Sequence, residues 1–519
     1  MFKNGLRSGS MTHNSHLILG PPGCGKTYRL IQIMREALES GVHPSRIGFV
    51  SFTTKAVQEA MSRACAEFNL TEKDFPYVKT LHAMGYHGLG LQRQDVMGRD
   101  DYKKLGEILG VEFKNADSTS VDDGIALPTI GGSGSKYLQA VMRSRYRMVS
   151  LEQEYNDMRD HSISYQKLVQ VHAQNEEYKY KMNKTDFVDM IDKYIDLVEP
   201  PYLDLFITDE AQDLTPLQWT MARKIAKNAQ RWVIAGDDDQ AIHGWTGAKV
   251  EDFLNSSDNV EVLSQSYRLP HSVWRLSQRI VTRIKNRVPK EFKPQDREGL
   301  TTGLMRIEHA PLDQGSWTLM CRTNSFCWDM ADKLEKMGYY YSIKGRPSVS
   351  PTLIQNINTW KRLAGGDRVP VMLVKDLYKA VRKQGKDAVV RRGALKLLEA
   401  ADPEGGLSYE DLVNEFGWLA DREASAYGVL RVSDDERMYI RALEKRGESL
   451  DREPRIKVST FHAMKGGEDE NCVVYLGSTY ACAESDKPED EWRALYVAVT
   501  RTKNNLYLLE SDKKYRYHI

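Results

Sequence analysis

The chain has 519 residues, 41% hydrophobic and 28% charged, with a formal net charge of +1. That length allows several domains, and the composition is that of an ordinary globular protein, which excludes a disordered or fibrous chain. No apolar run approaches the roughly 20 residues of a membrane span, the charge announces no globally basic surface, and the cysteines (Cys24, Cys65, Cys321, Cys327, Cys472, Cys482) form no CxxC pair, which argues against a zinc or iron–sulfur site and for reduced thiols.

Residues 1–15 lack the apolar core of a secretory signal and read as a flexible leader, with Met11 equally able to serve as a start. Residues 16–19 (HLIL) predict a short buried strand. Then come Gly20, Pro21, Pro22, Gly23, Cys24, Gly25, Lys26 and Thr27, followed by Tyr28 and a helical pattern to residue 40. This is G-x-x-x-x-G-K-T between a strand and a helix. Gly23 and Gly25 let backbone N–H groups turn towards phosphate oxygens, and the helix N-terminus adds partial positive charge. Lys26 can reach the β/γ-phosphates, and the Thr27 hydroxyl can ligate Mg²⁺. Alone, this motif specifies only a nucleoside triphosphate.

Residues 203–208 (LDLFIT) predict a strand ending at Asp209 and Glu210. Adjacent carboxylates at a strand end suit hydrolysis: Asp209 can hold Mg²⁺ through water, and Glu210 can orient and deprotonate the attacking water. A third strand, 231–236 (RWVIAG), leads to Asp237, Asp238, Asp239 and Gln240, whose amide is placed to sense a γ-phosphate. Sheets of this class bind ligand at the carboxyl ends of their strands.

Two stretches mimic guanine-nucleotide motifs: Asp95-Val96-Met97-Gly98 (DxxG) and Asn183-Lys184-Thr185-Asp186 (NKxD). No buried strand precedes the first. The second opens an amphipathic helix, TDFVDMIDKYIDLV, with Thr185 or Asn183 as its N-cap. The interval from Lys26 to Asp209 is too long for a plain α/β core, so an insertion is placed at 91–184. It contains GGSGS (131–135) and a basic stretch around Arg143, Arg145 and Arg147. A second insertion, charged and helical in pattern, is placed at 350–453. The strand WTLMCR (317–322) precedes a helix and YYYSIKG. Basic clusters at 279–293 and 382–396 suit either a phosphate backbone or solvent.

In order, SFTTKAVQEA (51–60), TLHAMGY (80–86), DEAQDLTPLQW (209–219), GDDDQAIHGWTGA (236–248), LSQSYRLP (263–270), VSTFHAMKGGEDENCVVYLG (458–477) and EWRALYVAVTRTKNNLYLL (491–509) resemble the motifs of superfamily 1A DNA helicases of the UvrD/Rep/PcrA kind, in a compact form. The resemblance implies an α/β fold. It has two RecA-like P-loop domains with parallel sheets, each carrying a mainly helical inserted accessory domain. Domain 1A would span 16–90 and 185–262, 1B 91–184, 2A 263–349 and 454–519, and 2B 350–453. The resemblance assigns Arg268 and Arg501 as arginine fingers reaching the ATP cleft from the second RecA-like domain, so that hydrolysis is coupled to cleft closure. It assigns Tyr267 to the adenine face and Glu468 to the ribose. Phe52, Thr53, His82, Trp245, Thr460 and His462 match strand-facing positions. Trp245 in its glycine-flanked loop is the one least readily explained as core.

The implied activity is ATP- and Mg²⁺-dependent translocation on single-stranded DNA, 3′ to 5′, with duplex unwinding. The alternatives are a translocase that strips bound proteins with little unwinding, and a non-motor nucleotide switch. The expected partners are single-stranded DNA, single-/double-strand junctions, and loading or replication and repair proteins, with no membrane and a monomeric state. The expected location is the cytoplasm of a bacterial, archaeal or phage-infected cell. No length remains for a nuclease domain after residue 509. Three features depart from the pattern. No glutamine precedes the first strand, only His13, Asn14, Ser15 and His16. His243 and Thr246 replace a tyrosine and an arginine, and Ser266 replaces an asparagine.

Overall fold

A computed structural model describes residues 14–113, 132–158, 162–381, 388–399, 401–402, 405–484 and 487–519. Most of the leader, Gly131 and residues 382–387 of the second basic cluster lie outside the described residues. The chain forms two compact units: Met1–Gly299 with Glu484–Thr500 and Ile519, and Leu300–Ala483 with Arg501–His518. Among the described residues, no helix is long and apolar enough to cross a membrane.

The first unit is built on six parallel strands: β1 (Ser15–Leu19), β2 (Ile47–Ser51), β3 (Tyr77–Thr80), β4 (Leu203–Asp209), β5 (Ala229–Gly236) and β6 (Val260–Val262), in the order β3-β2-β4-β5-β1-β6. Both faces are covered, so the central strands read as continuous apolar runs. Alternate residues divide between two cores, as the pleat requires. Leu17, Leu19, Phe206, Trp232 and Ile234 enter one core. Ile18, Ile207, Val233 and Ala235 enter the other, with Leu30, Ile33 and Met34 of α1 (Lys26–Glu39) and Val57, Ala60 and Met61 of α2 (Thr54–Phe68). Helices within residues 91–184 give Leu105, Leu138, Leu168 and Val171 to the first core, so this stretch shares its hydrophobic interior with the sheet.

The NKxD look-alike is structural, and its helix boundary differs from the sequence expectation. Helix Phe187–Leu197 is capped by Asp186, whose carboxylate accepts from Asp189 N at 2.8 Å, and not by Thr185 or Asn183. Asn183 instead ends helix Tyr165–Met182 in the left-handed region at φ 49°. Asparagine tolerates that conformation, which frees the acidic residue for the next N-terminus. Buried Asp186 also lies 2.8 Å from Lys179 Nζ and 3.3 Å from Arg145 Nη1. Burial alone would raise its pKa, but Lys179 and Arg145 outweigh it and hold the carboxyl down at about 2.

A folded-state pKa below the unfolded one gives stability that is complete above the unfolded value, near 3.8, and lost as pH falls through the folded value of about 2. Thermal melts from pH 5 to pH 2 should therefore show Asp186→Asn less stable than wild type at pH 5, with the gap closing towards pH 2. A gap that does not change with pH would count against this ion cluster as a stabiliser.

The second unit holds β7 (Leu300–Leu304), β8 (Trp317–Cys321), β9 (Tyr341–Ile343), β10 (Arg346–Pro347), β13 (Ile456–Thr460), β14 (Asp469–Tyr475) and β15 (Thr502–Leu509), in the order β10-β9-β13-β8-β14-β15-β7. All of these pairs are parallel except β10–β9. Between β10 and β13 lie helices Pro351–Gly365, Val371–Ala380 and Asp434–Arg446, shorter helices, and an antiparallel pair, β11 (Val369–Pro370) and β12 (Gly406–Leu407). Trp360 and Trp418 stack there at 5.1 Å, within the same core as Trp317 and Leu319 of β8.

Residues 263–299, which the sequence reading places at the start of the second half, pack with the first unit. The reason is local. Tyr267 N donates to Gly23 O at 2.8 Å, and Ser266 Oγ donates to Pro22 O at 2.7 Å. Helix His271–Val281 then packs on helix Pro488–Val499, which belongs to the same unit.

Candidate functional site

The carboxyl ends of β1, β4 and β5 carry the three segments singled out in the sequence. Gly23 and Gly25 take positive φ, 70° and 78°, and Gly25 is the N-cap of α1. The side chain of Lys26 folds back across Gly20, where an added Cβ would lie 2.7 Å from Lys26 Cδ. Lys26 Nζ is 2.7 Å from Glu210 Oε1. Burial by itself would lower the Lys26 pKa, but Glu210 and then Asp209 reverse this and hold it above the ordinary lysine range. Burial, opposed by Lys26 and reinforced by Glu210, pushes the Asp209 carboxyl up to about 6. Cys24, buried in the loop, has its thiol pushed up to about 12, mainly by that burial, so it is no thiolate nucleophile. Glu210 sits at φ 51°, an uncommon conformation for a non-glycine residue, which turns its carboxylate back over the loop.

Gln212 links two strand ends. Its Nε2 donates to Glu210 Oε2 at 2.6 Å, and its Oε1 accepts from Asp237 N at 3.1 Å. That carbonyl occupies the space beside Gly236, where a Cβ would approach it to 2.2 Å, so only glycine fits. Gln240 Nε2 donates to Asp237 Oδ2 at 2.6 Å. Lys26, Glu210, Gln212, Asp237 and Gln240 thus form one continuous polar chain. The sequence reading gives no role to Gln212, although it lies inside the acidic segment.

Asp237, Asp238 and Asp239 are close enough to one another to hold a metal ion. A lysine ammonium occupies that place instead. Lys290 Nζ is 3.1 Å from Asp237 and 2.8 Å from Asp239, and it is also bonded to Asp238. Arg287 binds Asp239 through two contacts of 2.7 Å. Lys290 and Arg287 lie in the basic cluster 279–293, which the sequence reading gives to a phosphate backbone or to solvent; these two charges instead pair with buried carboxylates of the chain itself.

Tyr28 and Tyr267 flank the loop, 63% and 71% exposed. A Cβ on Gly25 would lie 3.8 Å from the Tyr267 ring. Arg268 belongs to this first unit, whereas the sequence reading brings it from the second half. Its Nη1 donates to Thr500 O at 3.3 Å, and its Cβ lies 2.3 Å from where a Gly23 Cβ would be. Polar groups around β1 are engaged internally: Asn14 Nδ2 donates to Gln230 O at 2.5 Å, and His16 Nε2 is 3.3 Å from Glu261. Thr27 is half-buried in the first turn of α1.

Of the strand-facing candidates, Trp245 is 49% exposed. It ends an aromatic row in which Phe52 lies 5.1 Å from His243, and His243 6.4 Å from Trp245. Phe52 and His82 are buried. His82 Nε2 bonds the Tyr146 hydroxyl at 3.0 Å, and burial lowers its pKa to about 4, so it stays neutral. Thr53 caps α2 by accepting from Ala56 N at 3.1 Å. Thr246 Oγ1 donates to His243 O at 2.7 Å, which fixes the loop where the resemblance expects an arginine.

In the second unit, Thr460 ends β13 and accepts from Ala463 N at 3.2 Å. His462 follows it, half-buried. Glu468 pairs with Lys503 at 2.7 Å. Arg501 is buried, its Nη1 donating to Gly467 O at 3.3 Å.

The family model for the UvrD/REP helicase N-terminal domain matches residues 5–261. The ATP-dependent DNA helicase PcrA of Leuconostoc citreum is 22% identical over 374 residues, 64% of this chain and 48% of that protein. PcrA of Bacillus subtilis is 24% identical over 316 residues, 56% and 40%. The ATP-dependent DNA helicase Rep of Buchnera aphidicola is 26% identical over 276 residues, 50% and 41%. The chain spans about half the length of the curated relatives it matches.

Proposed function

The chain belongs to the UvrD/Rep-like superfamily 1 helicases, carrying their N-terminal domain at residues 5–261, and from this premise we propose that it is an ATP-driven DNA helicase that translocates 3′ to 5′ on single-stranded DNA. The observation that carries the reading is the Lys26–Glu210 contact of 2.7 Å beside Asp209 at the strand ends. In this reading the triphosphate takes Lys26 from Glu210. The β/γ-phosphates give the ammonium a stronger partner, and Glu210 is released to orient and deprotonate the attacking water.

Thr27 and Asp209 offer a hydroxyl and a carboxylate, hard oxygen donors that suit Mg²⁺. The ion would supply charge neutralisation at the phosphates. Gln240, held by Asp237, faces the γ-phosphate. The resemblance gives Arg268 and Arg501 to its developing charge, Tyr267 to the base and Glu468 to the ribose.

In the first unit single-stranded DNA would run over Trp245, backed by Phe52 and Thr53, whereas His82, buried against Tyr146, does not reach it; the resemblance gives Thr460 and His462 of the second unit to the strand. Each stacked base is worth about 1–3 kcal/mol. Trp245→Ala should therefore weaken oligo-dT binding by roughly 5- to 100-fold, measured by fluorescence anisotropy, and leave ATP hydrolysis without DNA near wild type. Unchanged binding would remove Trp245 from the strand path. The reading as a whole is tested by ATP turnover with and without single-stranded DNA, together with unwinding of matched 3′- and 5′-tailed duplexes. Stimulated turnover and a preference for the 3′ tail are expected. Turnover that ignores single strands would overturn the motor.

A further inference from the structure

The Asp237–Asp239 cluster contains one cation that the reaction as described does not use. The Lys290 side chain is 1% exposed, at the centre of three carboxylates that are equally buried. We propose that Lys290 is a positioning residue for ATP hydrolysis, its ammonium fixing the Asp237 carboxylate that in turn holds the Gln240 amide. The inference rests on the ATPase reading above and names a residue that reading leaves out.

The two oxygens of Asp237 have different partners. Oδ1 accepts from Asp239 N at 3.2 Å and lies 3.1 Å from Lys290 Nζ, while Oδ2 accepts from Gln240 Nε2 at 2.6 Å. The position of the Gln240 amide therefore depends on how the plane of the Asp237 carboxylate is held. Lys290 holds it through Oδ1. A compact ammonium with three donors suits three converging carboxylates better than a planar guanidinium does.

Without the ammonium, Arg287, bonded to Asp239, is the side-chain cation left on the cluster among the described residues. Three adjacent buried carboxylates then repel one another with less to hold them together. Asp237 Oδ1 then loses the contact that fixes the carboxylate plane, and the Gln240 amide bonded to Oδ2 shifts with it.

The backbone around Lys290 has its own anchors. Val288 N donates to Asp238 Oδ2 at 2.8 Å, Asn286 O accepts from Arg493 Nη2 at 2.6 Å, and Glu489 accepts from Lys285 N at 3.1 Å. Shortening the lysine side chain therefore removes its charge while those ties remain. This makes the effect on Gln240 separable from loss of the loop.

The test is a kinetic double-mutant cycle on the full chain with saturating oligo-dT: wild type, Lys290→Met, Gln240→Ala and the double variant. Asp237→Asn cuts the same link from its other end, and it decides the matter if Lys290→Met shows no cooperative thermal transition. Lys290→Met and Asp237→Asn should each lower kcat by about 10-fold or more with KM for ATP within about 3-fold of wild type. In the Gln240→Ala background, either should cost less than about 2-fold further, because the residue it acts through is already gone. Multiplicative losses, or a KM that rises with kcat unchanged, would overturn the proposal. Turnover in the wild type that neither variant changes overturns this inference alone. A wild type that does not hydrolyse ATP overturns the function reading with it.

Discussion

Lys26→Ala is expected to reduce single-strand-stimulated ATP turnover by about 10²- to 10³-fold or more, the scale on which removal of one preorganised charge acts on a transition state. The substitution deletes the only side-chain cation of the loop motif. It also takes from Glu210 the ammonium that lies 2.7 Å away, while the Gln212 amide still donates to its other oxygen. Nucleotide affinity should fall as well, because backbone N–H groups and the α1 terminus then carry the phosphates alone. Steady-state turnover and binding of a fluorescent ATP analogue give both numbers. Wild-type turnover in this variant would remove the loop from the reaction.

Glu210→Gln should act differently on the two measurements. Turnover should fall by about 10²- to 10⁴-fold, the span of a general base. ATP affinity should hold or rise, because the carboxylate paired with Lys26 is gone and an amide competes with phosphate far more weakly. The variant should therefore accumulate the bound triphosphate. A loss of affinity matching the loss of turnover would mean that Glu210 holds the loop in shape and does not activate water.

The two variants together test the exchange on which the mechanism depends. In the proposed reading, nucleotide binding exchanges the Lys26–Glu210 ion pair for a stronger pairing of the ammonium with phosphate. Glu210, at φ 51°, is held in a conformation that only its surroundings sustain. Gln212 supplies part of that support, since its amide reaches both the Glu210 carboxylate and the backbone of Asp237.

Much of this was legible in the sequence because the chemistry is local there. G-x-x-x-x-G-K-T between a strand and a helix, and paired carboxylates at the end of an apolar run, each specify a strand-end site within a few residues. The alternation of Leu17, Ile18 and Leu19 between two cores follows from the pleat alone. The N-cap at Asp186 was missed because three polar residues compete there, and the choice falls to the one that Lys179 and Arg145 also need.

By itself, then, the sequence determined the α/β class and placed Lys26, Asp209, Glu210 and Gln240 just after the carboxyl ends of three apolar strands, which the fold sets side by side. Only the tertiary structure decided that Tyr267 and Arg268 pack against Gly23 and Gly25, that His82 lies buried against Tyr146 while Trp245 remains exposed, and that Lys290 fills an acidic cluster. Those facts depend on which distant segments share a desolvated space. Burial and charge pairing across such distances leave no periodic trace along the chain.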